Sequence, residues 1–232
     1  MQIHGLQKLT LLDYPGHMAA TVFTGGCNFR CPYCHNSELV LAPEKVPMLS
    51  EEEVFKFLKT RAKVLEAVAI TGGEPTLQPD LPEFIAKVRE LGYRIKLDTN
   101  GQSPSVLAKL LQNNLVDYVA MDIKNCRERY AETIGIPGFQ TAAVEESVNI
   151  LNSCSINYEF RTTVCKELHD EDSMHKIGEW IAGARHYYLQ PFRESDQVMQ
   201  KGVFHAPERE DLIKWKELLV KTIVAVDIRG LD

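Results

Sequence analysis

Short apolar runs rich in β-branched residues alternate with longer amphipathic runs along most of this chain. The predicted strands are 18–24, 67–71, 93–97, 116–121, 158–164 and 186–190. The predicted helices are 50–62, 81–91, 103–113, 144–152, 172–182 and 207–224. Strands that alternate with helices in this way favour a parallel sheet with the helices packed outside it.

Polar clusters follow the first, second, third, fourth and sixth of these strands. In a barrel the carboxyl ends of all parallel strands meet at one mouth, so residues far apart in sequence can form one site. Six strand–helix units are two short of a closed eight-unit barrel. We therefore predict an α/β fold with a partial (β/α)6 barrel rather than a doubly wound sheet.

The sequence marks the start of one helix clearly, and it gives less definite predictions for two other segments. Ser50 followed by Glu53 is the pattern of a capping box, in which serine and glutamate satisfy each other's backbone N–H groups. Residues 3–14 are predicted as either an extra strand or part of a docking surface. Residues 194–206 are predicted to form a mobile loop over the barrel mouth. No linker or repeat interrupts the 232 residues, so one domain is expected.

Composition and charge exclude several classes of protein. Hydrophobic residues make up 44% of the chain and charged residues 25%, which is typical of a packed globular core. A net charge of −6 argues against nucleic-acid binding by bulk electrostatics. No apolar run reaches the roughly 18 residues that span a bilayer, and the N-terminus lacks a leader pattern. We expect a cytoplasmic protein without nucleic-acid or membrane partners.

Half of the six cysteines, Cys27, Cys31 and Cys34, lie within eight residues. In a reducing cytosol such thiols indicate metal ligands before disulfides. Cys126, Cys154 and Cys165 are scattered, and we predict that they are small buried residues.

Three thiolates on one loop could bind either of two metal centres. They could hold three corners of a four-iron cluster and leave one iron open to a non-protein ligand. Alternatively, Cys27, Cys31, Cys34 and His35 could bind zinc. Structural zinc sites usually pair two ligand groups across a long spacer, and four ligands within nine residues fit that pattern badly. The spacing favours the cluster and leaves zinc as the alternative.

The cysteine spacing Cys27-x3-Cys31-x-Tyr33-Cys34 resembles the signature of the radical S-adenosylmethionine superfamily. Further matching motifs are LLDYPG at 11–16, CPYCHN at 31–36, GGEP at 72–75, DTNG at 98–101 and DIK at 122–124. Within the superfamily, these motifs resemble those of the glycyl-radical-enzyme activating enzymes. The nearest branch is that of the anaerobic ribonucleoside-triphosphate reductase activating proteins. The resemblance implies a single core domain of the radical S-adenosylmethionine type over residues 1–232.

The resemblance also implies a set of ligands. The three clustered cysteines would bind a [4Fe-4S] cluster, whose open iron takes the amine and carboxylate of S-adenosylmethionine. Gly72, Gly73 and Glu74 would contact that amine, because a glycine strand end exposes carbonyls and the glutamate adds an acceptor. Alone, the same residues are compatible with a turn followed by a solvated acid. Tyr33 and His35 would lie beside the cofactor.

A second implied group follows the third and fourth strands. Asp98, Thr99 and Asn100 offer acceptors for ribose hydroxyls, although Asp-Thr-Asn-Gly is also a good turn sequence. Asp98, Thr99 and Asp122 occupy the positions that form a monovalent-cation site in the activating enzymes. Ala120 stands where some relatives use a methionine as a further ligand, with Met121 next to it, which is a departure from that pattern.

Three basic residues complete the predicted site. Lys124 could pair with the carboxylate of the cofactor or with a neighbouring aspartate, and a bland surface pair remains open. Arg161 lies inside an apolar strand, where a buried guanidinium needs an anionic partner. Arg193 follows the sixth strand, at a position where some activating enzymes carry a histidine.

The resemblance implies cofactor-borne chemistry with no catalytic side chain. A flavodoxin-like reductant would supply one electron, and the 5′-deoxyadenosyl radical would abstract hydrogen from a glycine Cα of a glycyl-radical enzyme. Two alternatives stay open. One is a radical enzyme of the same superfamily that acts on a small molecule, and the other is a zinc-stabilised binding module without catalysis.

Overall fold

The computed structural model describes residues 1–230, which form eight strands and eight helices. The strands are β1 (Ile3–Thr10), β2 (Ala19–Thr24), β3 (Ala67–Gly72), β4 (Arg94–Thr99), β5 (Tyr118–Asp122), β6 (Asn157–Val164), β7 (Tyr187–Pro191) and β8 (Val226–Ile228). The helices are α1 (Ser37–Leu41), α2 (Glu51–Arg61), α3 (Leu81–Glu90), α4 (Pro104–Gln112), α5 (Arg127–Thr133), α6 (Ala142–Ser153), α7 (Glu171–Trp180) and α8 (Arg209–Leu219). No helix within residues 1–230 combines the length and the apolar character needed to cross a bilayer.

The strands follow one another in the sheet in chain order, from β1 to β8. Strand β1 runs antiparallel to β2, whereas β2, β3 and β4 pair in parallel, as do β6, β7 and β8. The six predicted strands correspond to β2 through β7, with ends that differ by one or two residues. The predicted α/β fold class with a partial barrel is confirmed.

Strand β1 confirms one of the two alternatives predicted for residues 3–14, an extra strand. Ile3 pairs with Thr24, and Leu6 pairs with Val22, across an antiparallel ladder interrupted by two register shifts. The chain then turns through the LLDYPG motif. The Thr10 hydroxyl accepts the N–H groups of Leu12 and Asp13, at 3.1 and 3.2 Å. Tyr14, also in the motif, is buried. The motif is therefore the turn that aligns β1 with β2.

Strand β8 and helices α1 and α5 were not predicted, because they are only three, five and seven residues long. Strand β8 depends on distant partners rather than on a local pattern. Arg229, which follows it, donates two hydrogen bonds of 2.7 and 2.6 Å to the fully buried Glu159. The same guanidinium lies 3.5 Å from the ring centroid of Tyr188. These contacts hold the end of the described chain on the sheet.

The predicted C-terminal helix was wrong in extent, because α8 ends at Leu219 and not near Val224. The backbone that follows makes other hydrogen bonds. The carbonyl of Thr222 accepts from the N–H of Gly183 at 2.8 Å, and the N–H of Val224 donates to Ala184 at 3.0 Å. Pairing with this loop takes residues 222–224 out of the helical path and leads the chain into β8.

Contacts divide the chain into two compact units. The N-terminal unit comprises residues 1–28, 38–99 and 103–119. The C-terminal unit comprises residues 29–37, 100–102 and the described residues from 120 onward. The predicted single domain over residues 1–232 stays a prediction, and its last two residues lie outside the described part.

Each unit has its own apolar core. In the N-terminal unit the core side chains are Val22, Leu58, Ile70, Phe84, Ile85, Val88, Ile95 and Leu97. In the C-terminal unit they include Val148, Leu151, Phe160, Ile177, Tyr187, Leu189 and Leu212. Burying one such side chain contributes about 1.5–3 kcal/mol, so these sets outweigh any single surface ion pair.

Helix α2 begins with the predicted capping box. The Ser50 hydroxyl accepts the N–H of Glu53 at 3.2 Å, and the Glu53 carboxylate accepts the N–H of Ser50 at 2.8 Å. The two residues therefore satisfy two backbone donors that a helix start otherwise leaves unpaired.

Replacing Ser50 with alanine should lower the free energy of unfolding by about 1 kcal/mol, because one capping hydrogen bond is lost. Urea denaturation monitored by circular dichroism measures the change. Ser105→Ala is the matched control, since Ser105 is an exposed residue in the first turn of α4, at a site where alanine is tolerated. Equal stability of Ser50→Ala and the wild type would contradict the role of the cap.

Candidate functional site

The first part of the cysteine loop lies in the N-terminal unit, directly after β2. Backbone hydrogen bonds hold it on both sides: Gly25 donates to Gln2 at 3.1 Å and Gly26 donates to Leu39 at 2.8 Å. Cys27 follows and is partly exposed. The loop therefore leaves the strand along a defined path, with a thiol at its exit.

The Gly-Gly pair after β3 lies in contact with this loop. Gly73 donates to the carbonyl of Thr24 at 2.8 Å, and a Cβ on Gly73 would stand 1.9 Å from the carbonyl oxygen of Gly26. Gly72 has φ +115, and a Cβ there would stand 2.4 Å from the backbone nitrogen of Thr24. Any side chain at either position would push the two strand ends apart.

Glu74 follows the two glycines, and its side chain is buried at 1% exposure. Its backbone N–H donates to the carbonyl of Gly26 at 2.8 Å. Its Oε1 accepts from the Thr76 N–H at 3.1 Å, the Thr76 hydroxyl at 2.6 Å and the Thr99 hydroxyl at 2.8 Å. The alternative of a solvated acid after a turn is therefore wrong, because the carboxylate is removed from water and accepts these three hydrogen bonds.

Strand β4 ends with Asp98 and Thr99, and a lysine on the same strand changes how they are interpreted. The Lys96 ammonium donates to Oδ1 of Asp98, and the lysine side chain is only 3% exposed. The sequence interpretation did not single out Lys96. The available signal was a lysine inside an apolar strand, which is the same signal that identified Arg161.

Asn100 belongs to the C-terminal unit and forms a turn. Its Oδ1 accepts the N–H of Gln102 at 3.0 Å, so the turn interpretation of this segment is confirmed. The side chain of Met121 packs against Gly101, and Ala120 beside it is fully buried.

The second part of the cysteine loop, with Cys31 and Cys34, also lies in the C-terminal unit. Cys34 donates its N–H to the carbonyl of Cys31 at 3.0 Å, and Asn36 donates its N–H to the sulfur of Cys34 at 3.4 Å. Burial raises the pKa of Cys34, against the opposing effects of that N–H and of Lys124. Binding a metal or cluster through Cys34 would require this thiol to lose its proton.

The segment 194–206 lies on this part of the loop. Met199 donates to the carbonyl of Cys34 at 3.1 Å, Gln200 donates to Pro32 at 2.9 Å, and the Ser37 hydroxyl donates to Gln197 at 2.6 Å. The segment was predicted as a mobile loop over the mouth, and its mobility stays a prediction. Its backbone contacts show that it also braces the cysteine loop.

Tyr33 and His35 point in different directions from the loop. The Tyr33 ring is 3% exposed and packs edge-on against Phe204 at 6.0 Å. Its hydroxyl has no hydrogen-bond partner among the described residues, and burial raises its pKa. His35 donates from Nε2 to the backbone carbonyl of Arg193 at 2.6 Å. The Arg193 guanidinium donates to the carbonyl of Gly230 at 3.0 Å, so it contacts the segment that follows β8.

Asp122, Lys124 and Arg161 form one charged group in the C-terminal unit. Lys124 donates to Asp122 at 2.8 Å, and Arg161 donates from Nε to the same carboxylate at 2.6 Å. Burial opposes ionisation, but attraction to Arg161 and Lys124 outweighs it and lowers the pKa of Asp122. Lys124 therefore pairs with a neighbouring aspartate, which was one of its predicted partners.

His169 is a buried residue that the sequence interpretation missed. The N–H of Cys165 donates to its Nδ1 at 3.1 Å, so the proton lies on Nε2, which donates to the carbonyl of Lys124 at 2.9 Å. Burial lowers the pKa of His169 to about 4, so the ring is neutral at physiological pH. It fixes the backbone of Lys124. A lone histidine in a loop offered no sequence signal for this role.

The three scattered cysteines differ in burial. Cys126 and Cys165 are buried, as predicted, whereas Cys154 is partly exposed, with its sulfur 3.7 Å from the carbonyl of Ile156.

Known proteins similar to this chain identify the family. The sequence pattern of the radical SAM superfamily matches residues 21–176, which is more than half of the chain. A Methanocaldococcus jannaschii protein with the provisional name glycyl-radical enzyme activating enzyme is 33% identical, over 99% of this chain and 96% of its own length. The GTP 3′,8-cyclase of Campylobacter jejuni subsp. doylei is 29% identical, over 64% of this chain and 47% of its own length.

A solved structure shares the fold. The crystal structure of Streptococcus suis SuiB bound to S-adenosylmethionine superimposes with a TM-score of 0.68 and 14% identity, over 88% of this chain and 48% of that protein. Membership of the superfamily implies a [4Fe-4S] cluster and S-adenosylmethionine as cofactors. The chain belongs to the radical S-adenosylmethionine superfamily and is an enzyme of that kind.

Proposed function

We propose that this enzyme cleaves S-adenosylmethionine reductively and generates a glycyl radical on a partner enzyme, anaerobic ribonucleoside-triphosphate reductase. One observation carries the proposal. The N–H of Glu74 and the close approach of Gly73 join the Gly-Gly-Glu motif to Gly26, at the start of the cysteine loop. In the N-terminal unit, the predicted amine-binding motif is thus hydrogen-bonded to the start of the predicted cluster-binding loop.

The proposed cluster ligands are Cys27 of the N-terminal unit and Cys31 and Cys34 of the C-terminal unit. Three thiols at this spacing suit a four-iron cluster and leave one iron for S-adenosylmethionine. When bound and reduced, the cluster would supply the electron for reductive cleavage of the cofactor. The chain's own part is to hold the thiolates and exclude competing reactions.

We assign the contacts with S-adenosylmethionine residue by residue. Carbonyls of Gly72 and Gly73 and the carboxylate of Glu74 would accept from its ammonium group, because a buried carboxylate suits a cationic partner. The cationic side chains of Lys124 and Arg161 beside Asp122 would suit its carboxylate. The remaining proposed contacts are Tyr33, His35, Asp98, Thr99, Asn100 and Arg193.

The proposed partners are proteins. The full-length similarity to the named activating enzyme of M. jannaschii supports a glycyl-radical enzyme as substrate. A flavodoxin-like protein in the cytoplasm is the proposed electron donor, because both the thiol ligands and the reduced cluster need a reducing compartment.

A second candidate function keeps the superfamily and changes the substrate. The similarity to a GTP 3′,8-cyclase favours a small molecule as the hydrogen donor. That similarity covers 64% of this chain, against 99% for the activating enzyme, so the protein substrate remains the conclusion. The zinc module has no support from these relatives.

Cys31→Ala should abolish cleavage of S-adenosylmethionine by the dithionite-reduced enzyme, because the cluster loses one of three thiolate ligands. Anaerobic reconstitution, iron analysis and quantification of 5′-deoxyadenosine measure the loss. Cys154→Ala is the matched control and should keep about four irons per chain and wild-type cleavage. Cleavage by Cys31→Ala would contradict the assignment, and a colourless protein with tightly bound zinc would favour the module.

Gly73→Ala should weaken cleavage at least tenfold, because the new Cβ overlaps the Gly26 carbonyl and displaces the cysteine loop. Gly92→Ala is the matched control. Gly92 has φ +90 but nothing within 4 Å of an added Cβ, so that variant loses stability without touching the loop. Assays at equal folded fraction separate the two effects. Equal cleavage by both variants would contradict the proposed role of the contact between Gly73 and Gly26.

Mixing the reduced enzyme with S-adenosylmethionine and anaerobic ribonucleoside-triphosphate reductase should generate a glycyl radical. Electron paramagnetic resonance should detect it as a doublet signal. Replacing the radical-bearing glycine of the reductase with alanine should remove the doublet. A doublet that appears only with another glycyl-radical enzyme would contradict the proposed partner and identify that enzyme as the substrate instead. Cofactor turnover stimulated by GTP, without a doublet on any partner, would establish the small-molecule alternative.

A further inference from the structure

Lys96 is a buried cation built into the third parallel strand of the N-terminal unit. Residues two apart on a strand share one face, so Lys96 and Asp98 lie side by side on β4. The register partner of Lys96 on β3 is Ala69, whose small side chain leaves room for the lysine stem. The ammonium of Lys96 donates to Oδ1 of Asp98 at the strand end.

The predicted monovalent-cation ligands are engaged by other groups in this chain. Asp98 holds the Lys96 ammonium, and the Thr99 hydroxyl donates to Glu74. In the C-terminal unit, Asp122 holds both Lys124 and Arg161. Ala120 also stands where some relatives have a methionine. The donor set therefore does not fit a metal cation, because each carboxylate already binds a cationic side chain and like charges repel.

We propose that Lys96 supplies from within the chain the positive charge that a monovalent cation supplies in related activating enzymes. The protein then binds and cleaves S-adenosylmethionine without a requirement for potassium or sodium. This inference rests on the proposed function for its cofactor. Lys96 is a positioning residue that acts through Asp98, since its ammonium neutralises that carboxylate and holds it at the strand end.

The test compares potassium chloride, sodium chloride and choline chloride at equal ionic strength, because choline is too large to enter a site made for a metal ion. Full-length protein, with and without its reconstituted cluster, is examined by thermal unfolding and by cleavage of S-adenosylmethionine. The variants are Lys96→Met, which removes the charge, and Lys96→Met with Asp98→Asn, which removes the carboxylate as well. Lys96→Arg keeps a cation at the site.

For the wild type and for Lys96→Arg, the melting temperature and the cleavage rate of each protein should not change from one salt to another. In choline, Lys96→Met should have a lower melting temperature than the wild type. In potassium or sodium its melting temperature should rise by about 3 °C or more, because a metal ion can then take the place of the ammonium at Asp98. Its cleavage rate should become dependent on the metal ion. The double variant should lose that response.

Two outcomes would overturn the inference: a wild type that needs potassium or sodium, or a Lys96→Met protein as indifferent to salt as the wild type. If Lys96→Met does not fold, the salt series on the wild type and Lys96→Arg decides the question. Failure of the proposed function is a separate result, since a protein that never cleaves S-adenosylmethionine in any salt still reports on Lys96 through its melting temperature.

Discussion

The contact between the Gly72–Gly73 pair and the end of β2 is the constraint on which the N-terminal part of the site depends. A Cβ at Gly73 would overlap the Gly26 carbonyl, and the N–H of Glu74 donates to that same oxygen. Cys27, the first thiol of the cysteine loop, directly follows Gly26. The approach of two neighbouring parallel strand ends, made possible by glycine, therefore sets where the first thiol of the loop emerges.

Several buried charges among residues 1–230 are paired with opposite charges. The pairs are Lys96 with Asp98, Asp122 with Lys124 and Arg161, and Glu159 with Arg229. Removing one partner of such a pair costs roughly 3–5 kcal/mol, because it leaves an uncompensated charge in a low-dielectric interior. The pairs thus restrict the positions of the carboxylates and ammonium groups that a charged cofactor would meet.

Patterns within a few residues predicted much of this structure. The capping box at Ser50, the positions of the six predicted strands and the burial of Arg161 against an anion all follow from local spacing or from the cost of burying charge. Strand β8 and His169 could not be found in that way, because a three-residue strand and a lone loop histidine acquire their meaning only from distant hydrogen-bond partners.

By itself the sequence determined the α/β class, the family and the cysteine set, because hydrophobic periodicity and ligand spacing are properties of neighbouring residues. Only the tertiary structure decided which charges meet. It paired Lys124 with Asp122 and placed the Arg193 guanidinium on the carbonyl of Gly230. It also placed the Lys96 ammonium on Asp98. Electrostatic pairing depends on distance and burial in space, and a linear sequence specifies neither until the strands have assembled.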